Sequence, residues 1–160
     1  MDYRSLMRLN ILKAFRVLGI FSKVRASTMS NDDLIKQIHQ AKTCQIKVGE
    51  THGFRDIWVV VVNERLFCRQ YAFHPKSWRS ALLEGQAGYL KVSGTSVAIE
   101  GQIPSDLAEM MQQVNDAYLE KYVERLNYYP EIAKQAALLA KHQNSTVELV
   151  LKDSHETKRG

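Results

Sequence analysis

The chain has 160 residues, 45% of them hydrophobic and 24% charged, with only 8 Gly and 3 Pro, which excludes a disordered, collagen-like or low-complexity protein and fits one globular domain. Two cysteines, Cys44 and Cys68, are too few for a disulfide framework and too far apart for a CxxC pair, so reduced thiols in a reducing cytoplasm are expected. The net charge of +5 lies wholly within Met1–Met29, where six basic residues meet one acid; the balanced remainder lacks a basic face for displacing counterions from phosphate, so no nucleic-acid partner is expected.

Within that basic stretch Tyr3, Met7, Ile11, Phe15, Leu18 and Phe21 recur at steps of three or four, the spacing of one helix face. Charges interrupt every apolar run, which excludes a transmembrane segment and argues against a secretory signal. Residues 1–29 read as a dispensable helical leader, with weak membrane-surface contact by residues 1–25, or a targeting role, as the alternative. The domain follows over residues 30–153, and a polar, disordered tail over 154–160.

Asn31 to Gln40 carries Leu34, Ile35 and Ile38 at helical spacing after an Asn31/Asp32 cap. Cys44 to Val48 alternates as a strand. Ile57 to Val62, IWVVVV, is an apolar run of strand length rich in β-branched residues. Arg65 to Tyr71 follows after Asn63-Glu64, so the two read as a hairpin, although Glu stands where a tight turn favours Gly. Tyr89 to Val92, Ser93-Gly94 and Val97 to Ile103 give a second hairpin. After Pro104, Ser105 can cap a long helix reaching Leu126 on the stripe Leu107, Met110, Met111, Val114, Tyr118 and Tyr122. Pro130 breaks the pattern, Glu131 to His142 forms another helix, and Thr146 to Leu151 a last strand. Consecutive strands with segregated helices give an α+β protein on an antiparallel sheet. IWVVVV is apolar on both faces, which a closed barrel covered outside by a helix or a second subunit would explain. One helix stripe is too narrow to cover the whole sheet, so a homodimer is expected.

Most catalytic chemistries have no signature here. Gly85, Gly88, Gly94 and Gly101 lack the spacing of a phosphate loop or dinucleotide fingerprint. No G-x-S-x-G occurs, both cysteines fall within strands, and the five histidines form no i,i+4 or H-x-H pair, so no metal is assigned. What remains is RLFCRQYAFHPKSWR, where Arg69, Lys76 and Arg79 stand with Tyr71, Phe73, His74 and Trp78 beyond a strand. Guanidinium groups suit a phosphate and aromatic rings suit a flat heterocycle. The same residues also fit a solvated strand end with Trp78 anchored in the core.

The order IWVVVVNERLFCRQY, KSWRSAL, GYLKVSG, NDAYLEKY and TVELVL over Asn31–Asp153 resembles a small bacterial family catalogued as domain of unknown function 2255. Trp58, Leu66, Phe67, Arg69, Trp78, Arg79, Tyr118, Lys121 and Tyr122 match its pattern, whereas Cys68 and Gln70 replace the usual Val and Ser. The family is similar to split barrels of the pyridoxamine-phosphate-oxidase and deazaflavin-dependent-reductase kind. The resemblance implies a six-stranded antiparallel Greek-key split β-barrel with flanking helices, a homodimer, and FMN or a deazaflavin as cofactor. It assigns Arg55, Arg69, Lys76, Ser77, Trp78, Arg79 and Lys121 to cofactor binding. Two functions follow: an oxidoreductase acting on a small-molecule substrate through a flavin or deazaflavin, or a cofactor-free homodimer serving as a binding or structural module.

Overall fold

The apolar run Ile57–Val62 is the seam on which the sheet closes. In the computed structural model, which describes residues 29–50 and 52–152, seven strands run antiparallel: β1 (Cys44–Val48), β2 (Arg55–Ile57), β3 (Val59–Val62), β4 (Arg65–Cys68), β5 (Gly88–Val92), β6 (Thr95–Gln102) and β7 (Val147–Leu151). Their order is β2-β1-β5-β6-β7-β4-β3. The two outermost strands are adjacent in sequence, separated only by Trp58. Ile57 pairs with Cys44 on one side, and Val59 pairs with Cys68 on the other. A single run of chain therefore supplies both edges and brings the sheet round into a nearly closed barrel, whose two terminal strands are short. Counted as one interrupted stave, β2 and β3 give the six staves expected; the seventh strand arises because Trp58 is where the run passes from one neighbour to the other.

Both hairpin turns form as expected. Asn63 and Glu64 have φ of 50° and 63°, and Ser93 and Gly94 have φ of 48° and 81°, the positive pairs of tight two-residue hairpins. Glu64 thus adopts the left-handed conformation without the help of glycine.

The helices are α1 (Asn31–Gln40), α2 (Trp78–Leu83), α3 (Leu107–Tyr118), α4 (Pro130–Leu138) and α5 (Ala140–Gln143), with a π-helical segment, Leu119–Arg125, continuing α3. Several ends differ from the sequence reading. Ser30 caps α1, its Oγ accepting from the Asp33 amide at 3.2 Å, so Asn31 lies inside the helix. Asp106, rather than Ser105, stands at the start of α3, and its carboxylate is held by Arg65 at 2.7 Å and 3.0 Å. The helix expected over Glu131–His142 breaks at the extended residue Leu139. The segment beyond Gln70 contains a helix, α2, whose Leu82 packs where Gly88 and Gly101 leave room; a Cβ on either would lie 2.5–2.6 Å from that side chain.

Val60, Val62 and Phe67 pack outward against Met110, Val114 and Tyr118 of α3, Tyr122 of the π segment and Ala133, Ala136 and Ala137 of α4. The three alanines let α4 approach closely and cover what α3 alone leaves bare. Val59, Leu66 and Cys68 take the alternate direction, toward the barrel interior, and are also buried. Val60 is 1% and Phe67 0% exposed, so both faces of these strands are covered within one chain and need no second subunit. Among the described residues no helix is long and apolar enough to cross a membrane. The leader, apart from Met29, and the tail over 154–160 lie outside the described residues.

Candidate functional site

A cleft of about 650 Å³ opens where β2, the end of β4, the segment 71–77 and the turn before α4 converge. Of the residues assigned from sequence, Arg55, Arg69, Lys76, Ser77 and Trp78 line it; Arg79 and Lys121 do not. Strand β2 supplies Arg55 and Asp56, both exposed. Arg55 and Lys76 form no ion pair or side-chain hydrogen bond among the described residues, whereas Asp56 accepts a bond from Gln45 at 3.2 Å.

Arg69 sits at the base of this cleft, 6% exposed. Its Nε donates to Thr146 Oγ1 at 2.9 Å, Nη1 to the carbonyls of Ala136 and Ala137 at 2.9 Å and 3.4 Å, and Nη2 to Asn115 Oδ1 at 2.6 Å and Met111 Sδ at 3.2 Å. Every donor is directed at a neutral acceptor, and two of those acceptors are carbonyls of the last turn of α4, where a cation suits the helix dipole. Its guanidinium carbon also lies 5.2 Å from the Tyr118 ring centroid. No carboxylate meets it among the described residues. Burial lowers its pKa from the ordinary guanidinium value, yet a guanidinium stays protonated in proteins. Arg69 therefore gives the cleft a positive charge with no ionised partner among the described residues, but has no donor left for a ligand.

Three other assigned residues are engaged elsewhere. Ser77 Oγ caps α2, accepting from the Ser80 amide at 3.1 Å. Arg79 Nε donates to the Ser145 carbonyl at 2.8 Å. Lys121 is 1% exposed and donates to the carbonyls of Ile38 at 2.9 Å and Val59 at 2.6 Å, tying α1 and the π segment to β3. Desolvation lowers its pKa to about 8.

The aromatic wall was only half visible in the sequence. Trp58 stacks on Tyr122 at 4.1 Å and 13°, and Tyr128 lies tilted against it at 5.8 Å. Tyr129 meets Tyr128 edge-on at 4.7 Å and 82°. Trp58, Tyr128 and Tyr129 all line the cleft, as does Trp78. Sequence reasoning overlooked Asp56, Tyr128 and Tyr129; the signal was present in two adjacent tyrosines directly before Pro130, where an amphipathic helix begins. With Arg55, Arg69 and Lys76 against Asp56, the lining carries a surplus of two positive charges with histidines neutral, so the arrangement suits a planar anion.

The model of a family described as "Uncharacterized protein conserved in bacteria (DUF2255)" matches residues 34–149. Among solved structures, the FAD and heme binding protein from Mycobacterium smegmatis is similar in fold, with a TM-score of 0.50 and 15% identity over 79% of this chain and 69% of that one. Comparison with curated proteins finds no match.

Proposed function

The chain belongs to the DUF2255 family of bacterial proteins, and from that premise we propose that its barrel binds an anionic, flavin-type cofactor in the cleft and serves as an oxidoreductase toward a small-molecule substrate. The observation that carries this reading is Arg69, a buried guanidinium without a carboxylate partner among the described residues, at the base of a cleft walled by aromatic rings. Hydrogen bonds and the end of α4 offset part of the cost of burying that charge, and an anion in the cleft would offset more. The similarity in fold to a protein that binds FAD and heme supports the same reading. A bound isoalloxazine supplies hydride chemistry. Arg55 and Lys76, without partners among the described residues, would pair with the phosphate of FMN or of a deazaflavin. Trp58, backed on one side by Tyr122, would carry the ring, while Arg69 contributes potential rather than a direct bond. The buried free thiols Cys44 and Cys68 suit the cytoplasm, where we place the protein.

Intrinsic fluorescence tests this directly, because both tryptophans of the chain line the cleft. Titration with FMN is expected to give saturable quenching at one equivalent. The pair Arg55→Ala and Lys76→Ala together should weaken FMN at least about tenfold, the size of a charge-assisted contact, and leave riboflavin, which lacks the phosphate, unchanged. Quenching that fails to saturate, with no yellow colour in the purified protein, would overturn the proposal in favour of a cofactor-free binding module.

We also propose that the protein is a homodimer, seated on a surface other than β3 and β4. Tyr71 and Phe73 stack on the His142 ring at 5.1 Å and 5.4 Å, and with Leu138 and Leu139 nearby in the chain they leave large exposed apolar groups. Tyr71 also lines the cleft, so a second copy resting there would border the cofactor site.

A further inference from the structure

Tyr129 has φ 47° and ψ 57°, a left-handed conformation, and the next residue is Pro130. A bulky residue at positive φ is a true outlier, and a residue before proline favours extended backbone, so this position stores backbone strain. The side chain does not recover that energy by burial, since Tyr129 is 57% exposed. Its polar atoms explain the conformation no better: the carbonyl accepts from the Ala133 amide at 3.0 Å, an ordinary first-turn helix bond. What the conformation achieves is placement. The ring stands nearly perpendicular to Tyr128, which leans on Trp58, and it lines the cleft.

We infer that Tyr129 is a ligand-positioning residue, held in a strained backbone so that its ring forms one wall of an aromatic corner with Tyr128 and Trp58, and that this corner clamps the planar ring of the bound molecule. This rests on the cleft being the flavin-type site proposed above. It adds that recognition of the ring is by shape and stacking against Tyr129, with the phenol oxygen unnecessary. The corner selects a flat tricyclic or larger heterocycle over a phosphate-bearing molecule with no extended ring.

Three proteins, wild type, Tyr129→Gly and Tyr129→Phe, separate this from a structural role by thermal unfolding and by FMN titration through tryptophan quenching. Glycine occupies the left-handed region without cost, so Tyr129→Gly is expected to raise the melting midpoint by roughly 3 °C while weakening FMN about tenfold, the worth of a good aromatic contact. Tyr129→Phe should bind FMN within about twofold of wild type. Wild-type affinity in Tyr129→Gly would overturn the inference and leave the flavin-type reading standing. Tenfold loss in Tyr129→Phe would show that the hydroxyl does the work, and would also overturn it. Absence of FMN binding by the wild type would overturn both readings together. A fall in melting midpoint matched by loss of binding would assign Tyr129 to stability instead.

Discussion

Lys121 is buried with no carboxylate partner among the described residues, its ammonium held by two carbonyls from elements far apart in the chain. Desolvation lowers its pKa to about 8, against an ordinary value of 10.5. Between those values the unfolded chain binds more protons than the folded one, so stability rises with pH there, and the contribution is lost as pH falls through 8. Cys44 and Cys68 act in the opposite sense, since burial raises both thiols from 9.0, Cys44 to about 11, and the unfolded chain ionises first as pH approaches and passes 9. The lysine is therefore read between about pH 8 and 9. Urea midpoints measured there are expected to climb in the wild type and to hold or fall slightly in Lys121→Met, where only the thiols titrate; an equal climb in both would refute the assignment. Sequence could supply the residue but not its role. Lys121 and Arg69 are visible as cations beside aromatics, and nothing local shows that Lys121 serves Ile38 and Val59, or that Arg69 spends its donors on Thr146, Asn115 and the end of α4. Those partners are brought in by the fold from dozens of residues away.

At the scale of elements, periodicity was sufficient wherever one face is wet and the other dry. Where both faces are dry the strands and their hairpin were still legible but not the division of the run between two partners, and where a segment is short no period showed. The strands β1, β5 and β6 and the helix α1 are legible because their apolar spacing is unambiguous. Trp58 gave no sign that it divides one apolar run between two partners, because pairing is a property of neighbours. The helix α2 has six residues, too few for a period to emerge, and it owes its place to two glycines on other strands. Gly101 has an ordinary backbone, so its substitution by alanine is felt only through Leu82, which a Cβ would approach to 2.6 Å. Leu82 is the buried residue of α2, and Trp78 at the start of that helix lines the cleft. Gly101→Ala should destabilise by about 1–3 kcal/mol, as overpacked cores do, and shift the Trp78 emission. Leu82→Ala should relieve the clash, so a double-mutant cycle is expected to show strong favourable coupling between the two positions. Additive effects in that cycle would mean that the glycine matters for another reason.

For the molecule as a whole, the fate of the β3–β4 outer face changes the argument for association. From the sequence that face looked too wide for one helix, and the structure closes it with two, since α4 brings Ala133, Ala136 and Ala137 alongside α3. Other large apolar side chains are exposed elsewhere, and four of them lie on the segments that meet at His142: Leu138 is 60%, Tyr71 49%, Phe73 47% and Leu139 43% exposed. Tyr71 and Phe73 stack on His142, whose amide donates to the Leu139 carbonyl at 3.0 Å, and we propose that these four side chains make up a patch of a kind that monomers seldom leave open. A twofold arrangement is the closed way to cover it, because one patch then meets its own copy. Light scattering at tens of micromolar is expected to report twice the chain mass of 18.3 kDa, and Leu138→Glu with Phe73→Glu should return the single chain, since two carboxylates would be buried against two more. Neither residue lines the cleft, so FMN affinity in that double variant reads the coupling between assembly and site. Loss of binding along with the dimer would mean that the partner completes the pocket; retained binding would mean that each barrel works alone. A wild-type single chain across that concentration range, with no uptake of an apolar dye, would remove the dimer altogether.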